Sequence, residues 1–254
     1  MSYKIASWNV NSIKARLTHV QEFLNTNQID FLFLQELKGE SFPDISPDYH
    51  ATYMGQKAYN GVAILSRQKD VRLISNKLNG DETDDQARYL EVEWNGIRLI
   101  NIYLPNGNPL GTEKFDYKIK WMERLFIRLN ELKNERVPFL IGGDFNVIPK
   151  DEDCYDPVLW RNDALYHPET VKQFRKVLNL GLTDAFRVFN QNAEEYSFWD
   201  YQAGAWPRNR GIRIDHFLTS PAITDRLISC QIDKTPRGWD SPSDHTPIIL
   251  EISE

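Results

Sequence analysis

The chain has 254 residues, 41% of them hydrophobic, with a net charge of −6 and a pI near 5.5. That is apolar material enough for a sizeable core, and no apolar run approaches the length of a membrane span. The acidic balance argues against a protein that coats nucleic acid non-specifically, although an enzyme can still meet phosphates over one face when a metal supplies positive charge. Cys154 and Cys230 lie far apart without metal-type spacing, and Met1-Ser-Tyr-Lys-Ile-Ala enters a strand with no signal-peptide core. A reducing cytoplasm is therefore the expected home.

Ile5 to Asn11 reads as a first strand that ends in two asparagines, Asn9 and Asn11. Ile13, Leu17, Val20 and Leu24 follow at helical spacing, with Ser12 as the N-cap. Ile29 to Leu34 is a continuous apolar strand that runs out in Gln35-Glu36. A turn signal at Asn60-Gly61 precedes a strand to Leu65, and Asp81 to Asp85 reads as a solvated acidic loop. Tyr89 to Trp94, Asn95-Gly96 and Ile97 to Leu104 form a hairpin that ends in Pro105-Asn106-Gly107. Phe115, Ile119, Met122, Phe126 and Leu129 mark a long amphipathic helix.

Phe139-Leu-Ile141 is then an apolar run too short for a helix, closed by Gly142-Gly143 and followed by Asp144 and Asn146. The glycines remove side chains where the backbone turns or another group approaches closely. A carboxylate beside an amide at the end of a rigid strand can orient and deprotonate a water, whereas an Asx turn is the plainer use of the same pair. Pro149 to His167 looks irregular; Val171, Phe174 and Leu178 mark a short helix stopped by Gly181. Tyr196 to Tyr201 is aromatic-dense, Ile212 to Leu218 alternates as a strand, and Ser241 to Ile249 carries Ser243-Asp244-His245-Thr-Pro247. No linker or internal repeat divides the chain, so one domain over residues 1–254 is expected.

Asn9, Glu36, Asp144, Asn146, Asp215, Asp244 and His245 each sit where an apolar strand stops or starts. Any one of them has a structural explanation; a structural role gives no reason for so many to gather at strand ends. The motifs Ser7-Trp-Asn9-Val-Asn11, Leu34-Gln-Glu36, Asn60-Gly-Val62, Tyr103-Leu-Pro-Asn106, Gly143-Asp144-Phe-Asn146, Arg213-Ile-Asp215 and Ser243-Asp244-His245-Thr-Pro247 resemble the exonuclease III family over nearly the whole chain. These are Mg²⁺-dependent DNA-repair nucleases that include the AP endonucleases. The resemblance implies an α/β four-layer sandwich of two packed mixed β-sheets flanked by helices.

It also implies Glu36 as the principal ligand of Mg²⁺, with Mn²⁺ as a substitute, and Asn9 and Asp244 close to the ion. Asp144 then takes a proton from the attacking water, Asn146 holds that water, and His245, oriented by Asp215, donates to a phosphoryl oxygen. Tyr103 supplies a further hydroxyl. Whether the base is Asp144 or the Asp215–His245 pair is left open by the sequence, with Asp144 preferred. The implied partner is DNA with 3′ ends, gaps or abasic sites, met by a monomer. Asn11, Lys57, Tyr59, Asn60, Arg88, Asn106 and Lys114 are candidates for phosphate-backbone contacts, and plain exposure to water explains these polar residues equally well.

Phe198, Trp206, Ile212 and Ile214 are candidate walls of a pocket for an unstacked sugar, with core packing the plainer reading. Many AP endonucleases carry Trp or Leu where Ile212 stands. Some relatives act chiefly at 3′ ends because of a bulky loop residue near the cleft, and His167 is the candidate here. Secreted deoxyribonucleases, sphingomyelinases and inositol-polyphosphate phosphatases share much of the pattern but place a histidine where this chain has Tyr103. A relative that kept the fold and lost catalysis would not be expected to retain Glu36, Asp144, Asn146, Asp215 and His245 together.

Overall fold

The computed structural model describes every residue from Met1 to Glu254. Strand β1 (Ser2–Asn9), helix α1 (Leu17–Asn27) and strand β2 (Phe31–Gln35) open the chain, with β1 and β2 parallel and Asn9 opposite Gln35. Strands β3 (His50–Met54), β4 (Val62–Ser66), β5 (Arg72–Ser75) and β6 (Tyr89–Trp94) come next. The return strand β7 (Ile97–Tyr103) leaves β6 through Asn95 and Gly96, whose φ values of 48° and 75° suit the two-residue hairpin expected there. Helix α2 (Glu113–Asn134) leads to β8 (Phe139–Asp144), which pairs parallel with β7 so that Tyr103 lies opposite Asp144.

The connection after β8 carries a 3₁₀ turn at Asp151–Asp153 and the one-turn helix α3 (Pro157–Trp160). Helix α4 (Pro168–Leu178), strand β9 (Thr183–Asp184), helix α5 (Ala185–Phe189) and strand β10 (Asp215–Thr219) follow. Helix α6 (Pro221–Thr224) and strands β11 (Leu227–Ile232) and β12 (Ile248–Ser253) complete the chain.

The strands form two six-stranded mixed sheets, ordered β11-β12-β1-β2-β4-β3 and β5-β6-β7-β8-β10-β9. Alternate side chains divide each central strand between two cores. Phe31 and Phe33 of β2 face Leu99, Leu140 and Phe217 of the opposite sheet, and Leu32 and Leu34 turn outward with α1 residues Val20, Phe23 and Leu24. On the other flank, Ile100, Ile102, Phe139 and Ile141 pack under α2 and α4. The order from one face to the other is helix, sheet, sheet, helix, as the resemblance implied.

Register explains why distant residues can meet. Parallel pairs β1–β2 and β7–β8 bring their carboxyl ends to one edge, carrying Asn9, Glu36, Tyr103 and Asp144. Strand β10 is antiparallel to β8, with Asp215 opposite Asp144, and β12 is antiparallel to β1, so its amino end and the preceding His245 reach the same edge. Gly142 and Gly143 are needed just below: a Cβ on the first would run into the Phe217 ring, and one on the second into the Ile102 carbonyl. Beneath the edge, Asn101 ties the sheets together, donating to the carbonyls of Leu34 and Ala63 at 2.9 and 2.8 Å and accepting from Gln35 Nε2 at 2.7 Å.

Several boundaries differ from the sequence expectation. Helix α1 begins at Leu17 behind Arg16, and Ser12 takes φ 92° in the preceding turn without capping it. The strand expected from Ile212 begins only at Asp215, because Ile212 makes isolated bridges to Cys154 and Phe198. The buried face of α2 is Lys118, Trp121, Met122, Leu125, Leu129 and Leu132; Phe115, Ile119 and Phe126 lie at its margin. Edge strands β3 and β11 escaped notice because their half-exposed residues do not alternate cleanly between apolar and polar.

Candidate active site

Glu36, Asp144 and His245 each point a ligand atom into one spot, all within 4.8 Å of one another. Asn9 bridges the two acids, its Nδ2 donating to Glu36 Oε1 at 2.9 Å and Asp144 Oδ2 at 3.0 Å. The Tyr103 hydroxyl donates to Glu36 Oε1 at 3.0 Å, and Lys38 Nζ lies 2.8 Å from Glu36 Oε2. His245 Nδ1 faces Asp215 Oδ2 at 2.9 Å, and its Nε2 stands 3.7 Å from Asp144 Oδ2. Asp215 is in turn held by Ser197, whose Oγ donates to Oδ2 at 2.6 Å while accepting the backbone N–H of Ile214 and Asp215.

The electrostatics divide the two acids. Burial acts to raise the Glu36 pKa, but donors from Lys38 and Asn9 outweigh it and hold the carboxylate ionised. Asp144 is pushed well up by burial, with His245 opposing and Asp215 adding to the rise. For His245 burial works to lower the pKa, and the Asp215 and Asp144 carboxylates overcome it, favouring the imidazolium. Burial, reinforced by Glu36 and Asp144, keeps the Tyr103 phenol protonated.

The Asx-turn reading of Asp144-Phe-Asn146 is seen directly, and the turn uses only one of the two carboxylate oxygens. Asp144 Oδ1 accepts the Asn146 N–H at 2.9 Å, an Asx turn that places Asn146 at φ 48°. Asp144 Oδ2 remains directed at Asn9 and His245. Asn146 Nδ2 donates to the Leu104 carbonyl at 2.9 Å, and its Oδ1 accepts from Asn106 Nδ2 at 3.2 Å. Asp244 stands aside from the acidic cluster: its Oδ1 accepts from Asn11 Nδ2 at 3.1 Å.

Tyr59, Asn60, Arg88, Asn106 and Lys114 line one depression of about 590 Å³. Arg88 lies over the Tyr103 ring at 4.7 Å, connecting that depression to the acidic cluster. Asn60 is committed to Gln56 and Gln86, whereas Tyr59 is 70% exposed. Lys57 falls in a neighbouring hollow with Lys14 and Lys38.

For the candidate pocket wall, the plainer core-packing reading holds at Ile212 and Ile214. Ile212 and Ile214 are 1% and 2% exposed and pack with Ile148, Cys154 and Leu165, so they form core rather than an open wall. Phe198 lies half-buried over that cluster, edge-on to His245 at 4.9 Å. Trp206 sits against Trp199 at 4.7 Å and near Arg237. His167 is not a free loop side chain: its Nδ1 accepts the Glu169 N–H at the start of α4, and its ring meets Phe115 edge-on at 4.9 Å.

A family model described as the endonuclease/exonuclease/phosphatase family matches residues 6–245. The chain belongs to that family. It is 32% identical to an exodeoxyribonuclease of Bacillus subtilis, over 98% of this chain and 99% of that protein. An AP endonuclease structure from Archaeoglobus fulgidus superposes with a TM-score of 0.93 at 36% identity, covering 99% of this chain and 100% of that one. A 3′-5′ exonuclease from Neisseria meningitidis matches with the same TM-score and coverage at 37% identity. So does a Neisseria 3′ phosphatase solved with a product DNA hairpin.

In this family member the donor set suits a divalent metal. The Glu36 and Asp144 carboxylates converge, and burial acts against the charge of both, which a cation would relieve. Residues that the sequence did not reveal support the set. Lys38 and Ser197 sit beside Glu36 and Asp215, and Trp8 Nε1 donates to the His245 carbonyl at 3.2 Å. Lys38 follows Glu36 by two residues and Ser197 lies in the aromatic-dense stretch, but neither position carries a periodic or spacing signal. No helix of the chain is long and apolar enough to cross a membrane.

Proposed function

We propose that this protein is a divalent-metal-dependent DNA-repair nuclease of the exonuclease III type. It hydrolyses phosphoesters at DNA 3′ ends, as a 3′→5′ exonuclease and 3′-phosphatase or phosphodiesterase, and incises abasic sites. The observation that carries this reading is the Glu36–Asp144–His245 cluster, bridged by Asn9 and lying beside an open depression lined by Arg88, Asn106 and Lys114. Relatives named for these activities cover the chain end to end.

Glu36 would hold the ion, with Asn9 next to Glu36 and with Asp244, held by Asn11 outside the cluster, reaching it through water; oxygen donors of this kind favour Mg²⁺, with Mn²⁺ as a substitute. When bound, it offsets charge on the phosphate and on the departing O3′. Asp144, its proton affinity raised by burial, accepts a proton from the attacking water. Asn146 Oδ1 keeps a second lone pair after accepting from Asn106, and this lone pair orients that water. The His245 imidazolium, aligned by Asp215, donates from Nε2 to a phosphoryl oxygen, where charge concentrates in the transition state. The Tyr103 hydroxyl, which burial keeps protonated, is a second donor to the phosphate once it turns from Glu36 Oε1. Arg88, Asn106 and Lys114 contact backbone phosphates along the depression.

His167, whose ring is fixed against Phe115 next to Lys114 of the depression, is assigned the part of favouring ends over continuous duplex. His167→Gly should raise incision of an internal abasic site relative to removal of a 3′-phosphate; no gain would remove this role. The chain acts as a monomer; its two cysteines, free and buried, suit a reducing cytoplasm. The deciding experiment is a panel of recessed, nicked, gapped, 3′-phosphorylated and abasic duplexes incubated with purified protein and Mg²⁺, Mn²⁺ or EDTA. Release of 3′-phosphate and nucleotides that EDTA abolishes is expected. Inactivity on every substrate with either ion would overturn the proposal.

A further inference from the structure

Lys118 is the one lysine in the apolar face of α2, and it is 0% exposed. A buried ammonium is costly unless its three donors find acceptors. No carboxylate touches it. Its Nζ instead donates to two backbone carbonyls, Asn106 at 3.0 Å and Asn146 at 2.6 Å. Those residues belong to different loops, one following β7 and the other following β8. Their side chains also meet, through Asn106 Nδ2 and Asn146 Oδ1 at 3.2 Å.

We propose that Lys118 is a positioning residue, whose ammonium ties the main chain of the Asn106 loop to that of the Asn146 loop and thereby fixes both amides in the cleft. Gly107 is shaped to the same bond. At φ +88°, a Cβ there would lie 2.6 Å from Lys118 Cδ and 3.3 Å from Ala164 Cβ. Asn108 extends the lock to a third loop, donating to both oxygens of Asp163 and accepting the Ala164 N–H. Burial pulls the Lys118 pKa down to about 7, with Asp144 and Asp163 partly restoring it.

The role rests on the hydrolase reading, in which Asn146 orients the attacking water. It is tested by steady-state release of 3′-phosphate for wild type, Lys118→Met, Asn146→Ala and the double variant. Lys118→Met should lower kcat by about 10–100-fold with KM within about threefold, because the amide is misplaced rather than DNA released. Added to Asn146→Ala it should cost less than about twofold more, since both changes act through one group. A folded Lys118→Met with wild-type kcat, or losses that multiply in the double variant, would overturn the proposal.

If Lys118→Met does not fold, Gly107→Ala retains the lysine but displaces it. The same fall in kcat is then expected, and a folded Gly107→Ala at wild-type kcat counts against the tie. An inactive wild type would instead refute the hydrolase reading. The tie would then be read from the side-chain amide NMR signals of Asn106 and Asn146, which shift in Lys118→Met if it holds and stay unmoved if it does not.

Discussion

Two histidines within one small volume of this fold meet opposite fates. His216, next to Asp215 on β10, is buried between Phe145 and Phe174; its Nε2 donates to the Val147 carbonyl at 3.0 Å and its Nδ1 accepts from Arg213 at 3.0 Å. Burial, with Arg213 adding to it, pulls its pKa down to about 4, and the ring is neutral. His245 is as deeply buried, but two carboxylates face it and it is held charged.

The neighbouring charges follow the same division. Behind His216, Arg213 meets Asp153 at 2.7 Å and Asp184 at 2.9 Å, and Arg187 joins Asp153 at 2.5 Å, so each acid is matched by a guanidinium. Around His245, Glu36, Asp144 and Asp215 crowd together with fewer cations than anions in contact. Matched buried charges make a rigid support. The unmatched ones raise the proton affinities of Asp144 and His245 and leave room for a cation and an anionic substrate.

The largest break in this contrast should come from Asp144→Asn. It removes the proton acceptor while keeping size and the Asx turn, so kcat should fall by about 10⁴-fold with thermal stability unchanged or improved. Near-wild-type turnover in a folded variant would return the base to the Asp215–His245 pair. Arg213→Met should act in the opposite sense, destabilising by about 4 kcal/mol in urea unfolding because Asp153 and Asp184 lose a buried partner. A loss under about 1 kcal/mol would mean that the network is not the support described.

The pH dependence of stability sharpens the difference. The folded pKa of His216 lies below its ordinary 6.5, so the unfolded chain takes up the proton first as pH falls. Its stabilisation is therefore complete above 6.5 and is lost down to pH 4, amounting to about 3 kcal/mol. His216→Gln should flatten that slope. His245 has the reverse sign: its contribution is present below 6.5 and is lost as pH rises toward its elevated value. The smallest expected effect is Tyr103→Phe, which removes one donor beside Glu36 and should lower kcat about tenfold without altering the unfolding slope.

How far the sequence could be read depended on whether a feature is local. Strands β2, β7 and β8 announced themselves as short apolar runs, and the acids and amides at their ends stood out because nothing structural calls for them there. Glu36, Asp144, Asn9, Tyr103, Asp215 and His245 meet in the fold as the matched motifs implied. Ile212 and Ile214 follow the plainer core reading, although alternation along a strand could not tell which layer would cover each face.

Sequence by itself therefore determined most of the central elements, the family and the acids, amides and histidine of the site, because these show in residue type and short-range order; edge strands β3 and β11 and the supporting Lys38 and Ser197 did not. Only the tertiary structure decided that Lys118 reaches two loops, that Asp144 rather than Asp244 joins Glu36, and that His216 is neutral while His245 is charged. Each of those depends on which side chains from distant strands exclude water around a group, and water exclusion sets both the worth of a hydrogen bond and the position of a proton.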